Sequence, residues 1–226
     1  MPHRVIARHV QRLGVTLGGG LLLLALSMWA FAAIADAMTD GETGYDQTFA
    51  DWLHERASDP LTEFFEAVTT LGNGVVLAGV AAIAALLLLR AGHRRESLLV
   101  VLAFVGAEIV SYSLKLGFRR DRPFFTDPLA TERTFSFPSG HSTVSLAVYG
   151  ALAVILARHV RGRAKLLVLA AAAVLVGLIG FSRLYLGVHF LTDVLAGFAA
   201  GTAWLAGCVL ALDLHQRLRR RRQTVR

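Results

Sequence analysis

Six apolar runs dominate this chain and leave it few ways to fold. They cover about 14–35, 73–90, 97–114, 142–157, 166–182 and 193–212. A helix rises 1.5 Å per residue, so about 20 apolar residues cross a hydrocarbon layer roughly 30 Å thick. The fourth and fifth runs are short for that, and their polar ends are expected to carry the helices on into the interface. Composition agrees: 55% of the 226 residues are hydrophobic and 17% charged, where a soluble domain carries about 25% charge. The chain reads as one all-α domain over 1–226, a polytopic membrane protein with six transmembrane helices.

The first run follows Arg4, Arg8 and Arg12, as a secretory signal would. A signal's apolar region is about 7–15 residues, whereas this run is about 22, so it reads as a retained first span. Cys208, the single cysteine, offers no internal disulfide and no Cys-x-x-Cys metal site, and reads as a small buried hydrophobe.

Charge sets the orientation. The chain has 23 Lys and Arg, and most fall on alternate connections. They are Arg4, Arg8 and Arg12; Arg90, Arg94 and Arg95; Arg158, Arg161, Arg163 and Lys165; and the tail from Arg217 to Arg226. With six spans these segments share one side, which the positive-inside rule makes cytoplasmic, both termini included. The tail 217–222 resembles a nucleic-acid patch. Directly after an apolar span it reads better as an anchor touching anionic lipid, so the expected partner is the bilayer and not nucleic acid. Oligomeric state is not legible.

The opposite side holds an acidic segment, 36–66, with one Arg, Arg56. Within it Tyr45, Phe49, Trp52 and Leu53 recur at i, i+4, i+7 and i+8. That stripe predicts an extracytoplasmic amphipathic helix between the first two spans, lying on the membrane surface or packed as an ordinary loop helix.

Three polar clusters fall on that same side. The first contributes Lys115 and Arg122. The second is Pro138, Ser139, Gly140 and His141 at the start of the fourth span. The third holds Ser182, Arg183, His189 and Asp193. Three fixed cations match the charge of about −1.5 to −2 on a phosphate monoester, and Arg contacts two oxygens through a planar fork. Arg119, Arg120 and Arg133 read as cations snorkelling at span ends. Ser139 is a good N-cap, and free amides at a helix start favour an anion. Gly140 allows close backbone approach. His189 and Asp193, four residues apart, would share a helix face, where the carboxylate could fix the imidazole tautomer.

These residues resemble the type 2 phosphatidic acid phosphatase and vanadium haloperoxidase superfamily. Its pattern is Lys, six residues, Arg-Pro; then Pro-Ser-Gly-His; then Ser-Arg, five residues, His, three residues, Asp. Here it reads Lys115 with Arg122 and Pro123; 138–141; and Ser182 and Arg183 with His189 and Asp193. The match covers 115–193, about a third of the chain. The resemblance implies that His189 is the nucleophile, forming a phosphohistidine, and that Asp193 orients it. His141 would protonate the leaving alkoxide and then activate water. Lys115, Arg122, Ser139, Gly140 and Arg183 would bind phosphate oxygens. It implies no metal and no cofactor.

The expected activity is hydrolysis of a lipid phosphate at the outer face of the plasma membrane. Candidates are phosphatidic acid, phosphatidylglycerol phosphate and undecaprenyl or other polyprenyl (di)phosphates. A membrane serine hydrolase built on Ser139 would leave the three cations unused and lacks a Gly-x-Ser-x-Gly elbow. A non-enzymatic lipid or anion transporter would place charge nearer mid-membrane.

Overall fold

The computed structural model of the chain describes residues 2–41 and 44–224, and they form eight helices. These are α1 (Pro2–Thr39), α2 (Gly44–His54), α3 (Asp59–Thr70), α4 (Gly74–Arg90), α5 (Arg94–Phe118), α6 (Gly140–His159), α7 (Arg163–Tyr185) and α8 (Leu191–Thr224). Each of the six apolar runs lies within a helix. Five helices are long and apolar enough to cross a membrane alone. α3 and α4 qualify only as a pair, bent by 43° at a short break, so the chain has five to six candidate spans. Among the cations used for orientation, the side chains of Arg4, Arg8, Arg12, Arg220, Arg221, Arg222 and Arg226 lie outside the described residues.

Local chemistry sets the helix ends. Asn73 caps α4 by accepting from the Val75 amide. α5 stops at Arg119, which adopts the left-handed conformation at φ 49°. The short fourth run does lengthen at its polar end, because Ser139 caps α6 and Gly140 opens it.

The core lies where α4, α5, α6 and α8 meet, around Leu77, Val100, Ala103, Ala147, Val148 and Ala151. Helices bathed in lipid gain nothing from hiding apolar surface, so they associate by close packing over small residues. Gly106 faces Trp204, whose indole donates to the Leu102 carbonyl at 2.9 Å. A Cβ on Gly197 would stand 2.7 Å from the Ser139 carbonyl, and one on Gly201 2.6 Å from that of Thr143. These two glycines, one turn apart, press α8 against the first turn of α6. α1 packs on α8, its Phe31 also meets the Phe118 and Phe137 rings, and most of its span is exposed.

The helix expected between the first two spans is α2, but its inward face is rotated from the expected stripe. Asp46, Ala50 and Leu53 are buried, whereas Tyr45 and Trp52 are 53% and 49% exposed. Phe49 and Leu53 pack against Leu184 and Val194. The rotation has an electrostatic cause: a carboxylate, Asp46, points inward to partners described below.

Connections alternate between the two ends of the bundle. Those carrying Arg90 to Arg95 and Arg158 to Lys165 lie at one end. At the other lie 119–139 and the turn 186–190.

Candidate active site

Lys115 and Arg122 are drawn to one stretch of backbone. Lys115, buried in the last turn of α5, donates from Nζ to the carbonyls of Phe135 and, at 3.5 Å, Ser136. Arg122 donates from Nε to the Thr134 carbonyl at 2.7 Å and from Nη1 to that of Val188 at 2.6 Å. Its Nη2 reaches Thr134 Oγ1 at 3.1 Å and the Phe135 carbonyl at 3.3 Å. Burial pulls its acidity constant below the usual guanidinium value, with Glu132 opposing and Arg183 adding to the fall. It stays a cation at any physiological pH.

His189 departs from the sequence expectation. It lies in the turn between α7 and α8, not on a helix face, because α8 begins only at Leu191. Gly187 makes the turn possible at φ 69°. Asp193, in the first turn of α8, reaches back to accept the Phe190 amide at 2.9 Å and faces His189 Nδ1 at 3.2 Å, both through Oδ2. This is the carboxylate half of a capping box. The four-residue spacing is productive, but through a helix cap.

These partners assign the His189 tautomer. Nδ1 carries the proton toward Asp193, and Nε2 presents its lone pair to Arg122 Nη1 at 3.2 Å. Burial, then the fields of Arg122, Arg183 and Lys115, hold the imidazole well below its ordinary pKa. It is therefore neutral at pH 7, with a lone pair available at Nε2.

The second cluster is joined to the third by backbone. The Phe137–Pro138 peptide is cis. Ser139 is fully buried; its amide donates to the Asp193 carbonyl at 2.9 Å, and its hydroxyl accepts from the Ser142 amide at 3.4 Å. His141 packs its ring against Gly72, where a Cβ would come within 2.9 Å of Cδ2. Its ring nitrogens make no hydrogen bond among the described residues.

Lys115, Arg122, Gly140, His141 and His189 line one cavity of about 220 Å³. Asp193 stands directly behind His189. Arg183 does not face the cavity. It is 4% exposed, and its Nη1 donates to Thr69 Oγ1 at 2.8 Å and its Nη2 to Glu132 Oε1 at 2.5 Å. Glu132 is the group that lines the space. Ser139 acts as a cap within the described geometry and does not line it either.

Sequence reasoning missed Arg120 and Asp46. Arg119 and Arg133 are exposed, as span-end cations should be. Arg120 instead donates from Nη1 to Asp193 Oδ1 and to Thr192 Oγ1, both at 2.7 Å, and from Nη2 to Asp46 Oδ2 at 2.9 Å. The Thr192 amide and hydroxyl also donate to Asp46. The available signal was Asp46 itself: an acid on the helix face that also bears Phe49 and Leu53 requires a buried partner.

Comparison with known proteins gives a concordant result. The family model for the PAP2 superfamily matches residues 96–217, more than half of the chain and all three clusters. Phosphatidylglycerophosphatase B of Bacillus subtilis (strain 168) is 44% identical over 108 residues, 47% of this chain and 53% of that protein. The matched stretch thus spans about half the length of that curated relative. The crystal structure of a transmembrane PAP2-type phosphatidylglycerolphosphate phosphatase from Bacillus subtilis superposes with a TM-score of 0.74 at 31% identity. That match covers 84% of this chain and 93% of the other. LpxE of Aquifex aeolicus shares the fold, with a TM-score of 0.60 at 24% identity over 74% of this chain and 95% of its own. The three clusters, the all-helical fold with its five to six apolar spans and these matches agree: the chain belongs to the PAP2 superfamily.

Proposed function

We propose that the protein hydrolyses a lipid phosphate in two steps through a phosphohistidine. His189 Nε2 attacks phosphorus and the bond to the lipid oxygen breaks. His141 gives that oxygen its proton, releasing the lipid alcohol. His141 then takes a proton from water as the water attacks the phosphohistidine, which frees inorganic phosphate and restores His189. Asp193 holds the His189 Nδ1 proton throughout. Lys115 and Arg122 bind the phosphate oxygens, exchanging carbonyl partners for ligand, and Gly140 lets the α6 amides approach. Arg183 contributes its field from behind Glu132, and Ser139 holds the turn in place.

The observation that carries this reading is the His189 ring. One nitrogen lies on a buried carboxylate, and the other faces a guanidinium at the edge of a cavity. The relatives' names point to phosphatidylglycerophosphate as the first substrate to try. The charge asymmetry of the connections supports an extracytoplasmic site, cytoplasmic termini and residence in the plasma membrane. A lipid whose phosphate lies at headgroup depth suits that placement. The test is phosphate release by purified protein from phosphatidylglycerophosphate, phosphatidic acid and a polyprenyl diphosphate, with His189→Ala as control. Release from at least one lipid, lost in the variant, is expected. No release from any, or release that survives the substitution, overturns the reading.

A further inference from the structure

The cavity does not end at the phosphate-binding groups. Glu108, Ser111, Tyr112 and Lys115, at i, i+3, i+4 and i+7 on α5, all line it. This spacing places them on one helix face. Glu108 lies seven residues before Lys115, about 10 Å further along the span. Its Oε1 sits against the first residue of α4, where a Cβ on Gly74 would come within 3.2 Å. Gly72 and Gly74 bound the cavity there, at the break that bends α3 from α4.

Neither Glu108 nor the Ser111 hydroxyl makes a hydrogen bond or ion pair among the described residues. A carboxyl group within a membrane span is costly unless it finds partners. The start of α4, with its positive end, favours an acid nearby, but it supplies no hydrogen bond to Glu108.

We infer that Glu108 and Ser111 form a second subsite beyond the phosphate site, taking the hydroxyl- or ester-bearing connector of a glycerol-based lipid phosphate. This rests on the phosphatase reading and sharpens it. A glycerol connector places oxygens in the stretch between Lys115 and Glu108, and these can pair with the carboxyl and the hydroxyl. A prenyl phosphate places only hydrocarbon there and leaves both groups unpaired. A site built to hydrogen-bond a substrate group discriminates strongly against an analogue that lacks it.

The experiment compares kcat/KM for phosphatidylglycerophosphate, phosphatidic acid and a prenyl monophosphate in wild type, Glu108→Leu, Glu108→Gln and Ser111→Ala. Wild type is expected to prefer the glycerol lipids. In Glu108→Leu the ratio of glycerol-lipid to prenyl-phosphate kcat/KM should fall about 10- to 100-fold, mainly through KM. Glu108→Gln should recover part of that ratio, which a purely structural role would not predict. Ser111→Ala, a small change, keeps the test valid should Glu108→Leu fail to fold. An equal loss on all three lipids, or an unchanged ratio in every variant, overturns the subsite. Wild-type protein inactive on all three overturns the phosphatase reading itself, a separate result.

Discussion

Arg120 stands 2.7 Å from the one carboxylate oxygen of Asp193 that His189 does not face. Asp193 is fully buried, so both its oxygens need donors, and the guanidinium satisfies one while the imidazole and the Phe190 amide share the other. Orientation of the His189 ring thus depends on a residue that lies within the first cluster but holds no motif position. Replacing Arg120 with Leu should leave a buried charge poorly compensated and destabilise the fold by about 3–5 kcal/mol. Arg120→Lys keeps the charge but loses the fork. It should fold and yet lose activity mainly in kcat, measured by thermal unfolding alongside phosphate release.

The two histidines should fail differently. His189→Ala is expected to lower kcat by about 10³-fold or more and to abolish any acid-labile phosphoenzyme. His141→Ala should cost about 10²- to 10⁴-fold on lipid substrates. With p-nitrophenyl phosphate, whose leaving group needs no proton, the His141 variant should instead accumulate phosphoenzyme. Acid quench after incubation with labelled substrate separates the two outcomes.

The low pKa of His189 has a signed consequence for stability. Below about pH 6.5 the unfolded chain protonates this side chain while the folded chain does not. The unfolded state then binds more protons, so stability falls as pH drops from 6.5 toward the lower folded value. In the free enzyme, kcat/KM should show no acid break near 6.5 from His189. His189→Gln should lose less stability than wild type between pH 7.5 and 5.0, as followed by unfolding in detergent.

Gly197 holds α8 against the turn that presents His141. A methyl group there would meet the Ser139 carbonyl at 2.7 Å and Ser142 Cβ at 2.8 Å. Gly197→Ala should cost about 1–3 kcal/mol from overpacking and reduce activity with little change in KM. Gly79→Ala, where nothing lies within 4 Å, is the control in the same two assays.

Charge in the proposed mechanism comes from Lys115 and Arg122, with Arg183 behind them. Exhaustive EDTA treatment should leave activity intact, and orthovanadate should inhibit by mimicking the five-coordinate phosphorus. Loss on chelation with recovery on added Mg²⁺ would contradict the scheme.

Much of this was legible in the sequence because lipid is a strict solvent. Every long helix had to announce itself as an apolar run, and the clusters at 115–122, 138–141 and 182–193 stand out against that background. The second run was read from 73, where the break ends, but the 43° bend that ties α3 to α4 was not legible. The inward turn of α2 was missed because Tyr45 and Trp52 mimic a buried stripe, while the true inward face carries Asp46. Arg183 was assigned to phosphate from its place in the motif Ser182-Arg183, five residues, His189. Its pairing with Glu132 joins residues 51 apart in the chain, and no local pattern encodes that. His189 and Asp193 were paired correctly for an incorrect reason, since the spacing that suits a helix face also suits a cap.

The Asp46–Arg120 ion pair redraws the smallest unit that could be transplanted. Moving residues 115–193 onto another helical scaffold would carry every motif residue and still strand Arg120, whose second carboxylate comes from the helix between the first two spans. A chimera that also imports α2 should hold the His189 ring. One that omits it would bring the motif without the brace that aims it.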